Sequence, residues 1–162
     1  MEQFYVRAAN DDLVFSAAHF ISLDDHTCEP LHGHDYRMTA EVSGPLGKHG
    51  YVVDFAALHD AMLALAKEMD HRVLLPTGNP MIRVRSDAGE VEVTVGDRRS
   101  VFPASDCLLL PIPNTTTELL AQYLGRQLLD RFVSQFGEQQ LRVCMELDEG
   151  RGFSAGCEIS DE

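Results

Sequence analysis

The heptapeptide Cys28-Glu29-Pro30-Leu31-His32-Gly33-His34 decides how the rest of the chain is read. Its second half sets two imidazoles two residues apart. On an extended segment, residues i and i+2 point to the same face. Gly33 between them lets another backbone come close without a side chain in the way. A third histidine, His19, closes the apolar stretch Leu13 to Phe20, which reads as a neighbouring strand. Three neutral ring nitrogens on adjacent strands fill three corners of a tetrahedron and leave the fourth to water or substrate. That is the catalytic zinc arrangement, not the closed structural one. A His-x-His pair alone is common by chance, and the competing reading is of ordinary surface or core histidines. His19 and a cysteine four residues before His32 weigh against it. His26, His49 and His59 fall outside the pattern.

The first half of the heptapeptide carries two candidate bases. A thiol beside a zinc site can deprotonate a C–H or O–H acidified by the metal, and the nearby positive charge favours its thiolate. The alternatives for Cys28 are a loop thiol without a role, or a fourth ligand that closes the site. Glu29 is a base of different pKa and reach; its alternative is a solvated loop carboxylate.

Working outward, Phe4 to Ala8 alternates as a short strand. Leu31 to Ser43 is another, with Tyr36, Met38, Ala40 and Val42 on one parity. Asp54 sits where an N-cap belongs, and Phe55, Leu58, Met62, Leu65 and Met69 recur at helical spacing. This helix delivers Asp70-His71 at its C-terminal edge. A carboxylate there can orient an imidazole, whereas a plain helix cap would favour the histidine but not the aspartate. Ile82 to Phe102 reads as a two-stranded excursion, a hairpin-like insertion at about 80–104. A second helix opens at Asn114-Thr115-Thr116-Thr117-Glu118, where Thr115 and Glu118 fit a capping box. Its stripe is Leu120, Leu124, Leu128 and Phe132, and Gly137 is its expected stop. Val143, Met145, Leu147 and Glu149 share one parity in an expected last strand; Glu146 does not.

Composition bounds the function. A 162-residue chain that is 44% hydrophobic fits one domain with a packed core. Twenty-six acidic against 13 basic residues leave a net charge of -13, which opposes nucleic-acid binding. No apolar run approaches the roughly 18 residues of a membrane span, and Met1-Glu2-Gln3-Phe4 lacks a signal-like start, so a cytoplasmic location without a membrane partner is expected. Cys28, Cys107, Cys144 and Cys157 show no Cys-x-x-Cys spacing and read as single thiols.

Together, Phe15-Ser-Ala-Ala-His19, Cys28-Glu-Pro-Leu-His32-Gly-His34, Val53-Asp54-Phe55, Asp70-His71-Arg72, Asn114-Thr-Thr-Thr-Glu118 and the strand ending at Glu149, with Ala155-Gly156-Cys157 after it, resemble the 6-pyruvoyl- and 6-carboxy-tetrahydropterin synthase family in content and order. The resemblance implies an α+β tunnelling fold: an antiparallel sheet with two helices on one face. Three subunits would close a β-barrel, and two trimers would stack into a homohexamer. It implies Zn2+ on His19, His32 and His34, catalytic roles for Cys28, Asp70 and His71, and a pterin held by Glu149. A carboxylate is the natural bidentate acceptor for an N–H/NH2 edge. Thr115 and Thr116 are candidate pterin contacts. Members making 6-carboxy-tetrahydropterin resemble this chain in Cys28. Members cleaving dihydroneopterin towards folate use a glutamate at the position of Glu29. The implied activity is 6-carboxy-5,6,7,8-tetrahydropterin synthesis from 7,8-dihydroneopterin triphosphate, towards queuosine and related deazapurines. The rivals are 6-pyruvoyl-tetrahydropterin synthesis, a folate-branch lyase using Glu29, and a non-catalytic zinc or pterin binder. The excursion at 82–102, and a seemingly long loop between Glu149 and Ala155, depart from the family pattern.

Overall fold

A computed structural model describes residues 2–136 and 140–160. The chain runs β1 (Phe4–Ala8), β2 (Val14–His19), β3 (His32–Gly44), α1 (Phe55–Met69), β4 (Arg72–Pro76), β5 (Arg83–Asp87), β6 (Glu90–Val95), β7 (Arg98–Pro103), β8 (Cys107–Leu110), α2 (Thr117–Phe136), β9 (Arg142–Gly150) and β10 (Phe153–Ser160). It is an α+β fold with two compact units. One comprises Met1–Phe15, Tyr36–Glu68 and Thr117–Glu162, and the other Ser16–Asp35 and Met69–Thr116.

In the first unit, β3 pairs antiparallel with β1 and β9, and β9 with β10. Strand parity sets its core. Tyr36, Met38, Ala40 and Val42 are wholly buried, as are Val143, Met145 and Leu147 on β9. The long β3 strand holds its register because a one-residue slip would turn that row to solvent. Asp54 caps α1: its Oδ1 accepts the Ala57 amide at 3.0 Å, and its carbonyl accepts the Leu58 amide. The buried stripe of α1 is Leu58, Met62, Leu65 and Met69. Phe55 is 72% exposed and does not belong to it. Leu120, Leu124, Leu128 and Phe132 bury the inner face of α2. Gly125 allows that contact, since a Cβ there would stand 2.3 Å from Ile159 Cδ1 and 3.2 Å from Met145 Cβ. Helix α2 begins at Thr117, so Thr115 precedes the cap position and the Thr115–Glu118 capping box does not form. The expected stop at Gly137 lies outside the described residues.

The chain continues past Glu149 as a further strand. Arg151 and Gly152, with φ of 57° and 82°, form a two-residue turn into β10. Two successive positive φ values match the twist of a hairpin. The apparent long loop is therefore a tight turn followed by β10, whose Ser154, Gly156 and Cys157 hide the strand pattern.

In the second unit, β2 pairs parallel with β4, and β4 parallel with β8. These two pairs are parallel, unlike the β1–β3, β3–β9 and β9–β10 pairs. The 82–102 excursion has three strands, not two: β5, β6 and β7 pair antiparallel in sequence order. Strand β5, Arg83-Val-Arg-Ser-Asp87, was missed because Val84 is its only apolar residue. Val91 and Val93 of β6 pack with Phe20, Leu75 and Ile82 in a core of their own.

Candidate metal centre and its neighbours

The second unit brings His19, His32 and His34 together. Their candidate ligand atoms lie within 4.8 Å of one another, and the ring centroids are 4.8–5.3 Å apart. Each ring arrives by a backbone rule. His19 ends β2; His32 and His34 open β3 on one parity. Gly33 between them has no Cβ to strike the Ala17 carbonyl oxygen, which would lie 3.2 Å away.

Backbone carbonyls fix two of the tautomers. His19 Nδ1 meets the Thr115 carbonyl at 2.8 Å, and His32 Nδ1 meets the Pro30 carbonyl at 2.9 Å. A carbonyl only accepts, so each Nδ1 carries hydrogen and each Nε2 is left with a lone pair, as outer partners of metal-binding histidines do. Burial lowers the pKa of His19; the Thr115 carbonyl opposes this, and His32 and His34 add to the fall. The neutral ring is the form that binds a metal. The donor set fits a zinc ion with one position open.

Thr115 itself is fully buried. Its hydroxyl donates to the Phe20 carbonyl at 2.8 Å and its amide to Asn114 Oδ1. Within the second unit the side chain thus ties Thr115 to the residue that follows β2, and the carbonyl aims His19. Thr116 follows at the helix cap position. Thr117, the first residue of α2 and the last of the three threonines in the motif, donates its hydroxyl to Glu149 Oε2 at 2.8 Å in the first unit. Glu149 stands on the inward parity of β9, while Glu146 is exposed.

The two candidate bases diverge. Glu29 Oε2 lies 3.8 Å from His32 Nε2, the nitrogen free to take a metal. The Cys28 thiol packs against the apolar cluster around Phe20 and Val93. A cavity of only about 20 Å3 adjoins it, too small for a pterin. Burial raises the thiol's pKa, Arg98 opposes this, and Asp24 adds to the rise. Among the described residues, the side chains close enough to share one ion are the three histidines, without Cys28.

Asp70 and His71 form a dyad. Asp70 Oδ1 accepts the Ser16 amide at 2.8 Å, and Oδ2 meets His71 Nδ1 at 2.9 Å. These contacts, the Ser16 amide foremost, lower the pKa of Asp70. His71, two residues past α1, has φ of 58°, a left-handed conformation that ends a helix, and its amide donates to the Ser16 carbonyl of β2 at 2.7 Å. A cavity of about 450 Å3 is lined by His34 and His71 with Ser16, Gly33, Asp35 and Arg72. That volume lies within the usual range for small-ligand sites, about 300–1,000 Å3.

An α+β fold carrying three histidines placed so that they could hold one ion is the frame for comparison with known sequences. A model of the 6-pyruvoyl tetrahydropterin synthase family matches residues 10–154, and the chain belongs to that family, whose members are lyases that bind pterins. A protein of Pyrococcus abyssi named "Putative 6-carboxy-5,6,7,8-tetrahydropterin synthase" is 30% identical over 130 residues, 80% of this chain and 78% of that one. The dihydroneopterin monophosphate aldolase of Pyrococcus furiosus is 40% identical over 60 residues, 37% of this chain and 50% of its own length. The crystal structure of 6-pyruvoyl tetrahydropterin synthase from Plasmodium vivax superposes with a TM-score of 0.88 at 24% identity, covering 99% of this chain and 100% of that one. At that identity the likeness speaks for the fold.

Proposed function

We propose that this chain holds zinc on His19, His32 and His34 and converts 7,8-dihydroneopterin triphosphate to 6-carboxy-5,6,7,8-tetrahydropterin, a step towards queuosine and related deazapurines. The observation that carries the reading is the cluster of three histidines, two of which meet backbone carbonyls through Nδ1. The name of the Pyrococcus abyssi relative supports the product. When bound, zinc acidifies hydroxyl and adjacent C–H protons of a side chain it holds. In this reading Cys28, once its loop carries it out of the apolar pocket beside Phe20, takes a proton from the substrate, Asp70 and His71 relay or tune it, and Glu149 fixes the pterin ring with Thr117 steadying its carboxylate.

A second reading rests on the 3.8 Å approach of Glu29 to His32 Nε2. There Glu29 is the base, and dihydroneopterin is cleaved to 6-hydroxymethyl-dihydropterin. The aldolase relative is consistent with it. A homohexamer in the cytoplasm belongs to the first reading; exposed Tyr5, Phe55 and Phe153 offer apolar surface for subunit contacts.

One preparation tests all of this. Zinc-loaded protein is incubated with dihydroneopterin triphosphate or dihydroneopterin, products are identified by mass, and light scattering gives the assembly. The expected result is a hexamer making 6-carboxy-tetrahydropterin. Cys28→Ala then lowers that product about 10²–10⁴-fold with zinc retained, and Glu29→Ala removes any hydroxymethyl product. Full zinc occupancy without turnover would leave a metal-binding protein in place of an enzyme.

A further inference from the structure

The segment that carries Cys28 and Glu29 has little regular structure of its own. Between β2 and β3 it makes one isolated bridge, Ser22 with Cys28. Asp24 Oδ1 accepts the amides of His26 and Thr27, both at 2.7 Å, and the Glu29 amide donates to the Ile21 carbonyl. The carbonyls of Cys28 and Glu29 are held from outside the segment. Arg98, the first residue of β7, donates from Nη1 to the Glu29 carbonyl at 3.1 Å and to the Cys28 carbonyl at 3.4 Å. Hydrogen bonds from a charged donor are roughly twice as strong as neutral ones.

Strand parity decides which of two adjacent arginines does this. Arg98 pairs with Val95 and shares its face with Ser100 and Phe102, the face that packs on the insertion's core. Arg99 turns the other way and binds Glu92, Nε to Oε2, at 2.7 Å. The peptide held by Arg98 separates the two candidate bases: Cys28 towards Phe20 and Val93, Glu29 towards His32.

We propose that Arg98 is a positioning residue that selects the base. By pinning the Cys28 and Glu29 carbonyls, it holds the Glu29 carboxylate at the histidine cluster and the Cys28 thiol in the apolar pocket of the insertion. Chemistry through Cys28 requires the segment to leave the arginine, so Arg98 sets the ratio of glutamate-dependent to cysteine-dependent product. The product ratio rests on the pterin-lyase reading; the clamp itself does not.

The test uses the zinc-loaded full chain and its Arg98→Ala, Arg98→Lys and Arg99→Ala variants. Two quantities are read: amide hydrogen exchange over residues 21–31, and the ratio of hydroxymethyl to carboxy product. In Arg98→Ala, exchange in the segment rises about tenfold and the product ratio falls about tenfold, the scale set by losing a charged hydrogen bond. Lysine keeps the charge but not the fork, so Arg98→Lys lies between. Arg99→Ala behaves as wild type in both. Unchanged exchange in Arg98→Ala overturns the clamp. Both products falling in equal proportion overturns base selection, because general damage to the site acts that way. If the wild type makes neither product, the pterin-lyase reading and base selection fail together, and exchange alone decides the clamp.

Discussion

The two halves of residues 28–34 are held in different ways. His32 and His34 belong to β3, and their rings are placed by strand parity and, for His32, by the Pro30 carbonyl two residues away. Cys28 and Glu29 sit in a loop whose carbonyls are held by a side chain 69 and 70 residues further on. The metal half is a local product of the backbone. The base half depends on a distant insertion. Rigid placement suits side chains that could meet one ion, whereas the Cys28 and Glu29 carbonyls share one arginine, the contact on which the proposed choice between two bases turns.

The largest effect should come from breaking the histidine half. His32→Ala or His34→Ala should empty the site, with zinc per subunit near zero and turnover down by more than 100-fold. Losing an outer partner alone costs about 10–100-fold, and a ligand exceeds that. The far-ultraviolet circular dichroism should stay as in wild type. Full zinc occupancy in both variants would break the comparison at its firmer end.

A smaller effect should follow from Thr115→Val, which keeps the carbonyl that aims His19 but removes the buried hydroxyl from the Phe20 carbonyl. An unsatisfied buried acceptor costs about 1–3 kcal/mol. The expected result is a lower Tm with zinc affinity within a few-fold of wild type. Zinc loss equal to that of a ligand variant would show that the histidine half leans on side chains as much as the base half does.

The smallest effect concerns Asp70, which meets the Ser16 amide of the strand that carries His19. Its folded pKa is lowered, so its stabilising contribution is present above the ordinary value of 3.8 and is lost as pH falls through the lower folded value. Asp70→Asn should therefore flatten the dependence of Tm on pH below about 4. At neutral pH it should cost little, because Asp70 is 41% exposed and screened by water. An unchanged acid slope would remove Asp70 from the supports of β2.

The same contrast explains what could be read from the sequence. Both helices were legible because Leu58 to Met69 and Leu120 to Phe132 repeat at helical spacing. β3 and β9 were legible because their buried rows alternate without interruption. The three histidines were legible because i, i+2 spacing and a strand end are local signals. β10 was not, because Ser154, Gly156 and Cys157 carry no hydrophobic alternation, and β5 was not, because its outward face is charged. The parallel strands β4 and β8 were missed because Val73-Leu74-Leu75 and Leu108-Leu109-Leu110 are unbroken apolar runs without alternation. Arg98 was invisible for another reason: nothing near residue 98 says that its guanidinium meets residue 28, and that knowledge comes only with the packing of the insertion. That Glu29 lies beside His32 while Cys28 faces the insertion was invisible for the same reason.

The parallel pairing of β4 with β8, Val73 beside Cys107 and Pro76 beside Leu110, carries a topological demand. Parallel neighbours cannot be joined by a tight reversal; the chain must travel back the length of a strand before it can enter the second one. Two antiparallel passes return a chain to where it began, but three leave it displaced by one strand length. The odd number of strands in β5–β7 therefore suits the journey from Pro76 to Cys107, which an isolated hairpin would not complete. The segment that presents Arg98 to the base loop is at the same time the road the sheet needs. Trimming it to a short turn would cost the β4–β8 pairing before it cost any chemistry.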